Sequence, residues 1–92
     1  MSNPVPVGDW SNFDFTLTPL AKDAFETAMQ PLFGANYTPL AFASQIVAGI
    51  NYCFLCDVQY ATPFPEGNAV KIYIYQPSHG KPSPEWIVPI TP

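Results

Sequence analysis

The sequence predicts an α+β domain, with one long helix packed on an antiparallel sheet of four to five strands. Two patterns carry that expectation. Between Thr18 and Pro31 the apolar residues recur at helical spacing and form one stripe. After Gly34 apolar and polar residues alternate instead, in runs broken by Pro- and Gly-containing segments. A third observation is the supply of core material. The chain has 92 residues, 48% of them hydrophobic and 15% aromatic, which suffices for one core. Residues 1–92 therefore read as one domain, with residues 1–9 as a flexible N-terminal tail.

Each element has its own signal. The tail carries Pro4-Val5-Pro6-Val7 and then Gly8. Trp10 to Phe15, with Trp10, Phe13 and Phe15 apolar, reads as a short first strand. Thr18 has the chemistry of an N-cap, and Pro19 suits the first helical position because its missing N–H has no helical partner there. Leu20, Ala21, Ala24, Phe25, Ala28 and Met29 make the apolar stripe, while Lys22, Asp23, Glu26 and Gln30 face away. Pro31 cannot continue the ladder and ends the helix.

Four strand-like runs follow. Tyr37 to Ile46 is the first of them. Val47-Ala48-Gly49 turns tightly into Ile50 to Tyr60, where Tyr52, Phe54, Cys56 and Val58 share a face. A Pro/Gly loop, Thr62 to Asn68, leads into Ala69 to Gln76. There Val70, Ile72 and Ile74 oppose Lys71, Tyr73 and Tyr75. Pro77 to Pro82 is a second loop, and Trp86 to Ile90 is a short last strand.

Composition excludes several classes of function. Three basic residues, Lys22, Lys71 and Lys81, and a net charge of −4 give no basic patch for nucleic acid or an anionic membrane. No apolar run reaches transmembrane length. The N-terminus lacks a basic region followed by an apolar core, so no signal peptide is read. The expected location is cytoplasmic, with a secreted mature form left open. No metal or cofactor is expected. Cys53 and Cys56 spell C-x-x-C, but residues three apart on a strand point to opposite faces, about 10 Å apart. A disulfide needs less than about 7 Å, and a zinc site needs further ligands. One thiol should be buried and the other partly exposed. No catalytic set is visible: Asp9, Asp14, Asp23, Glu26, Asp57, Glu66 and Glu85 are scattered, and His79 stands alone.

The most informative stretch is Gln45-Ile46-Val47-Ala48-Gly49, followed at once by Ile50-Asn51-Tyr52. It resembles the Q-x-V-x-G hairpin of the cystatins and stefins, reversible protein inhibitors of papain-like cysteine proteases. The order of features agrees with that family: a Gly near the N-terminus, a helix, the pentapeptide between two strands, then a further strand, Lys71 to Gln76, with a second hairpin after it. The likeness spans most of the chain, but only the pentapeptide and its flanks are specific.

The resemblance implies a cystatin-like fold and no enzymatic activity. It implies a wedge that enters the cleft of a cathepsin-type protease at three points. Pro6 and Val7 would lie along the non-primed subsites, with Val7 in S2. Gly8 would pass close to the catalytic cysteine, where a side chain would clash. The tip, Gln45, Ile46, Val47, Ala48 and Gly49, would fill the centre of the cleft. Pro77, Ser78 and His79 would contact the primed side. The second loop lacks the Pro-Trp pair of many secreted members and is closer to the stefin loop, so Trp86 is assigned to packing in the last strand.

Other departures are the missing C-terminal disulfides and a short segment before Gln45. Asn36 stands in the helix-to-strand loop where some cystatins bind legumain, but its spacing to Gln45 differs. Asn36-Tyr37-Thr38 is also a glycosylation sequon. The competing function is a cystatin-fold module that binds another protein without inhibiting a protease. A small enzyme or ligand carrier would need a polar cavity between helix and sheet, against the apolar inward positions. A monomer is expected, with a dimer swapped through the first hairpin as the alternative.

Overall fold

The computed structural model describes residues 8–32, 34–60 and 67–92. Helix α1 spans Pro19–Met29, and the strands are β1 Ala35–Val47, β2 Gly49–Tyr60, β3 Gly67–Gln76 and β4 Ser83–Ile90. The strands form one antiparallel sheet in the order β1-β2-β3-β4, a meander with α1 on one face. This is the expected α+β arrangement with four strands.

The helix begins as its sequence dictates. Thr18 Oγ1 accepts the Ala21 N–H at 3.1 Å, and Pro19 occupies the first turn. It ends before Pro31, and at eleven residues it is short rather than long. Ala21, Ala24, Phe25 and Ala28 are buried. Leu20 was expected in that stripe but is 66% exposed. At 3.6 residues per turn Leu20 and Met29 sit at opposite margins, each about 90° from the stripe's centre. Met29 still packs against the core, whereas Leu20 lies at the exposed first turn.

The core lies between α1 and the inner face of the sheet. Tyr52, Phe54, Cys56 and Val58 of β2 and Val70, Ile72 and Ile74 of β3 meet the helix, with Phe25 edge-on to Phe54 at 4.9 Å. Among the described residues no polar or charged side chain is buried. Each large apolar side chain so enclosed contributes about 1.5–3 kcal/mol. The three alanines of α1 let the helix approach the aromatic layer closely.

Four further expectations need correction. Asn36, expected in the helix-to-strand loop, lies in β1 opposite Gln59, because the strand begins directly after Gly34. Trp10 to Phe15 is not a regular strand. The segment runs antiparallel along β1 with isolated bridges, Trp10 to Gln45 and Asp14 to Phe42, so five residues lie against four of β1. Ser11 Oγ takes the Ser44 N–H at 2.9 Å, occupying a donor that a regular ladder would give to backbone. Next, both thiols are buried rather than one. Cys53 is on the outer face, where solvent was expected, but the N-terminal segment covers it: Trp10, Ser11 and Phe13 line one cavity with Ala43, Cys53, Lys71 and Tyr73. Finally, β4 begins at Ser83, not Trp86. A register shift opposite Tyr73 and Ile74 absorbs Glu85 and lets Pro84 join this edge strand, where a missing N–H is tolerated.

Candidate functional site

Gly8, Gln45 to Gly49 and Pro77 to His79 converge on one end of the sheet. The β1–β2 register closes with Val47 opposite Gly49, which leaves Ala48 at the tip. Ile46, Val47 and Ala48 are exposed there, an apolar projection that no element among the described residues covers. Gly49 has φ +116°, in a region that side chains rarely adopt. A Cβ on Gly49 would meet the Gln76 carbonyl oxygen at 2.5 Å and the Pro77 Cα at 3.1 Å. The glycine is therefore required twice, by the turn and by the close approach of the second loop.

That approach joins the two hairpins. The Tyr75 hydroxyl donates to the Ala48 carbonyl, tying β3 to the first tip. One residue on, Gln76 shapes the second loop: its Nε2 donates to the Pro77 carbonyl at 3.1 Å and to the Gly80 carbonyl at 3.0 Å. Ser78 and His79 are exposed on this loop, and Pro77 is half-buried beside Gly49.

The N-terminal segment makes the third element. From Asp14 back to Gly8 it climbs β1 from Phe42 to Ile46, toward the tip. The Gly8 N–H donates to the Ile46 carbonyl at 3.0 Å, and the Gly8 carbonyl accepts from Gln45 Nε2 at 2.8 Å. Gly8 has φ +90° and open space where a Cβ would stand. Pro6 and Val7 lie outside the described residues. The Gln45 amide is committed at both ends, because its Oε1 accepts from Asn51 Nδ2 at 2.9 Å. Gln45 thus braces the segment from within.

Sequence reasoning missed Asn51, Tyr75 and Gln76 as supports. Asn51 was within reach: a hairpin with Ala48 at its tip sets residue 45 opposite residue 51. Tyr75 and Gln76 depend on the β2–β3 register, for which the intervening loop gives no sequence rule.

Neither thiol is activated. Burial pushes the Cys56 thiol up to about 12, with Cys53 nearby adding to the rise. Burial also raises Cys53, and neighbouring Tyr73 and Lys71 pull it back only in part. Neutral buried thiols are poor nucleophiles and poor metal ligands. Among the described residues no three His, Cys, Asp or Glu side chains gather to hold a metal ion. Nor is any helix long and apolar enough to cross a membrane. What the arrangement offers is a shaped surface: a small apolar tip, an adjacent loop and a pinned backbone strand. No protein-family model, curated protein or solved structure matches the chain.

Proposed function

We propose that this protein is a reversible, competitive, tight-binding inhibitor of papain-like cysteine proteases of the cathepsin type, built on a cystatin-like fold. The observation that carries the reading is the junction of three separate stretches at one end of the sheet. Gly8 is pinned to Ile46, Ala48 is held by Tyr75, and Gly49 abuts Gln76 and Pro77. The Q-x-V-x-G pattern of Gln45 to Gly49 stands at the centre of that junction.

The physics of occlusion follows from the geometry. Ile46, Val47 and Ala48 offer apolar area that a protease cleft can desolvate. The tip is braced before any partner arrives, so little conformational entropy is lost on docking. Together with Gly8 and the Pro77 loop, an interface of roughly 800 Å² per partner is a reasonable size. Inhibition requires no covalent step. Gly8 lets the backbone pass close to the catalytic cysteine and turn away, so that no peptide bond is presented for attack. Pro6 and Val7 would extend the contact along the non-primed side.

The second loop favours a second reading. Pro77-Ser78-His79 lacks the large aromatic that many secreted cystatins carry there, so the fold could bind a different protein without inhibiting a protease. Steady-state titration of papain with a fluorogenic peptide separates the two. The inhibitor reading expects competitive inhibition at nanomolar concentrations, weakened by removal of residues 1–7. A folded monomer that leaves papain and a cathepsin panel fully active would reject it and leave the binding module.

A further inference from the structure

The face of the sheet opposite α1 carries an aromatic recess that the inhibitor reading does not use. Tyr73 of β3 stands between two indoles. Trp10 reaches it from the N-terminal segment, with ring centroids 6.0 Å apart at 78°. Trp86 reaches it from β4, also at 6.0 Å and at 88°. Both indoles are therefore nearly perpendicular to the phenol, as walls are to a back panel. The three rings line a cavity of about 390 Å³ with Gln45, Asn51 and Glu85. Trp86 is 61% exposed in spite of its ring contact, so a large aromatic surface remains in water.

A β4 bulge borders this recess. Here Trp86 pairs with Tyr73 and Pro84 pairs with Ile74, leaving Glu85 as the extra residue. Glu85 and Trp86 both line the cavity. Among the described residues, Glu85 is the sole acidic or basic residue lining it. Lys71 lines the next cavity instead, which shares Trp10 and Tyr73 as its walls. Gln45 and Asn51, already bonded to each other, also line it, beside Tyr52 and Ile74.

Aromatic faces are the negative pole of the ring quadrupole, and they attract cations whose hydration is weak. A carboxylate at the same recess adds attraction of the same sign. We propose that the Trp10–Tyr73–Trp86 recess, with Glu85, is a binding site for an alkylated ammonium group. The same chemistry is offered by a free quaternary ammonium compound and by a methylated lysine side chain of a peptide. The proposal is independent of protease inhibition.

The chain has two tryptophans, and both line the recess, so intrinsic fluorescence reports on it directly. The probes are choline chloride, at constant ionic strength, and the neutral alcohol in which carbon replaces the ammonium nitrogen. We expect saturable quenching by choline in the millimolar range and about tenfold weaker binding of the alcohol. Glu85→Gln, which preserves shape, should weaken choline and leave the alcohol unchanged. Trp86→Ala should abolish both, with thermal unfolding as the check on its fold. A short peptide bearing trimethyllysine, against its unmodified counterpart, identifies the source. Methylation-dependent binding tighter than choline supports a peptide ligand, and binding no tighter than choline supports a free cation. Equal affinity for choline and the neutral alcohol, or no saturation by any cationic probe, overturns the proposal.

Discussion

The helix-facing side of the sheet and its loop end are held together by different forces. The inner face is apolar throughout: Phe54, Ile72 and Ile74 are almost wholly enclosed, and Phe25 and three alanines close over them. The loop end is exposed and apolar at its tip, and it is fixed by hydrogen bonds from Gln45, Asn51, Tyr75 and Gln76. Burial supplies stability without regard to direction, whereas hydrogen bonds fix positions at small net energy. The difference means that stability and recognition are separable. Changes on the inner face should alter folding and leave the tip's shape intact, and changes at the tip should do the reverse.

The largest effect should come from Phe54→Ala, which removes the side chain at the centre of the core. Urea denaturation should show a loss of about 3–5 kcal/mol. At temperatures where the variant remains folded, its surface should be unchanged.

Alkaline pH attacks the same face through Cys56. Its thiol titrates near 12 in the folded protein against 9.0 for an ordinary thiol. Above pH 9 the unfolded chain loses its proton while the folded chain keeps it. The Cys56 contribution is therefore complete below pH 9 and falls as pH rises toward 12, and Tyr37, Tyr52, Cys53 and Tyr73, all raised, add in the same direction. Cys56→Ala should reduce that slope in denaturation curves recorded between pH 8 and about 11. Neither thiol should react with a thiol reagent at pH 8 until the protein unfolds.

Gly49→Ala breaks the separation, because this residue serves both regions. Its φ of +116° and the 2.5 Å approach of the Gln76 carbonyl make a methyl group a cost to folding and a push on the second loop. The expected destabilisation is about 1–3 kcal/mol, accompanied by altered amide shifts on both hairpins. Asn51→Leu should be smaller, about 1 kcal/mol. Its signature is local: the Gly8 amide should exchange hydrogen faster once Gln45 loses its brace, while β2 and β3 core amides stay protected.

How far the sequence discloses the molecule follows the same division. Period and capping suffice for α1, since Thr18, Pro19 and Pro31 act within one turn of chain. Alternation suffices for the inner faces of β2 and β3, because Tyr52, Phe54, Cys56 and Val58 on β2 and Val70, Ile72 and Ile74 on β3 obey it strictly. The tip is legible as a pentapeptide with a required glycine. Illegible features all depend on register or on distant chain. Cys53 is buried because Trp10 and Phe13 lie over it, which no local pattern encodes. The β4 bulge at Glu85 is a two-strand property. Leu20 fails because an apolar stripe has margins, and packing decides which margin is covered. Pairing across long loops is set by the sum of packing, so Tyr75 at Ala48 could not be foreseen.

In the proposed inhibitor, the exposed side chains of Ile46, Val47 and Ala48 recognise the protease and do not support the fold. Ala48→Glu separates the two roles, since Ala48 is exposed and outside the core. The measurement is the inhibition constant for papain, taken beside the urea midpoint for the same protein. The account predicts an inhibition constant raised at least a hundredfold, with stability unchanged within about 0.5 kcal/mol. An unchanged inhibition constant, or a wild-type protein that does not inhibit papain-like proteases at all, would contradict it.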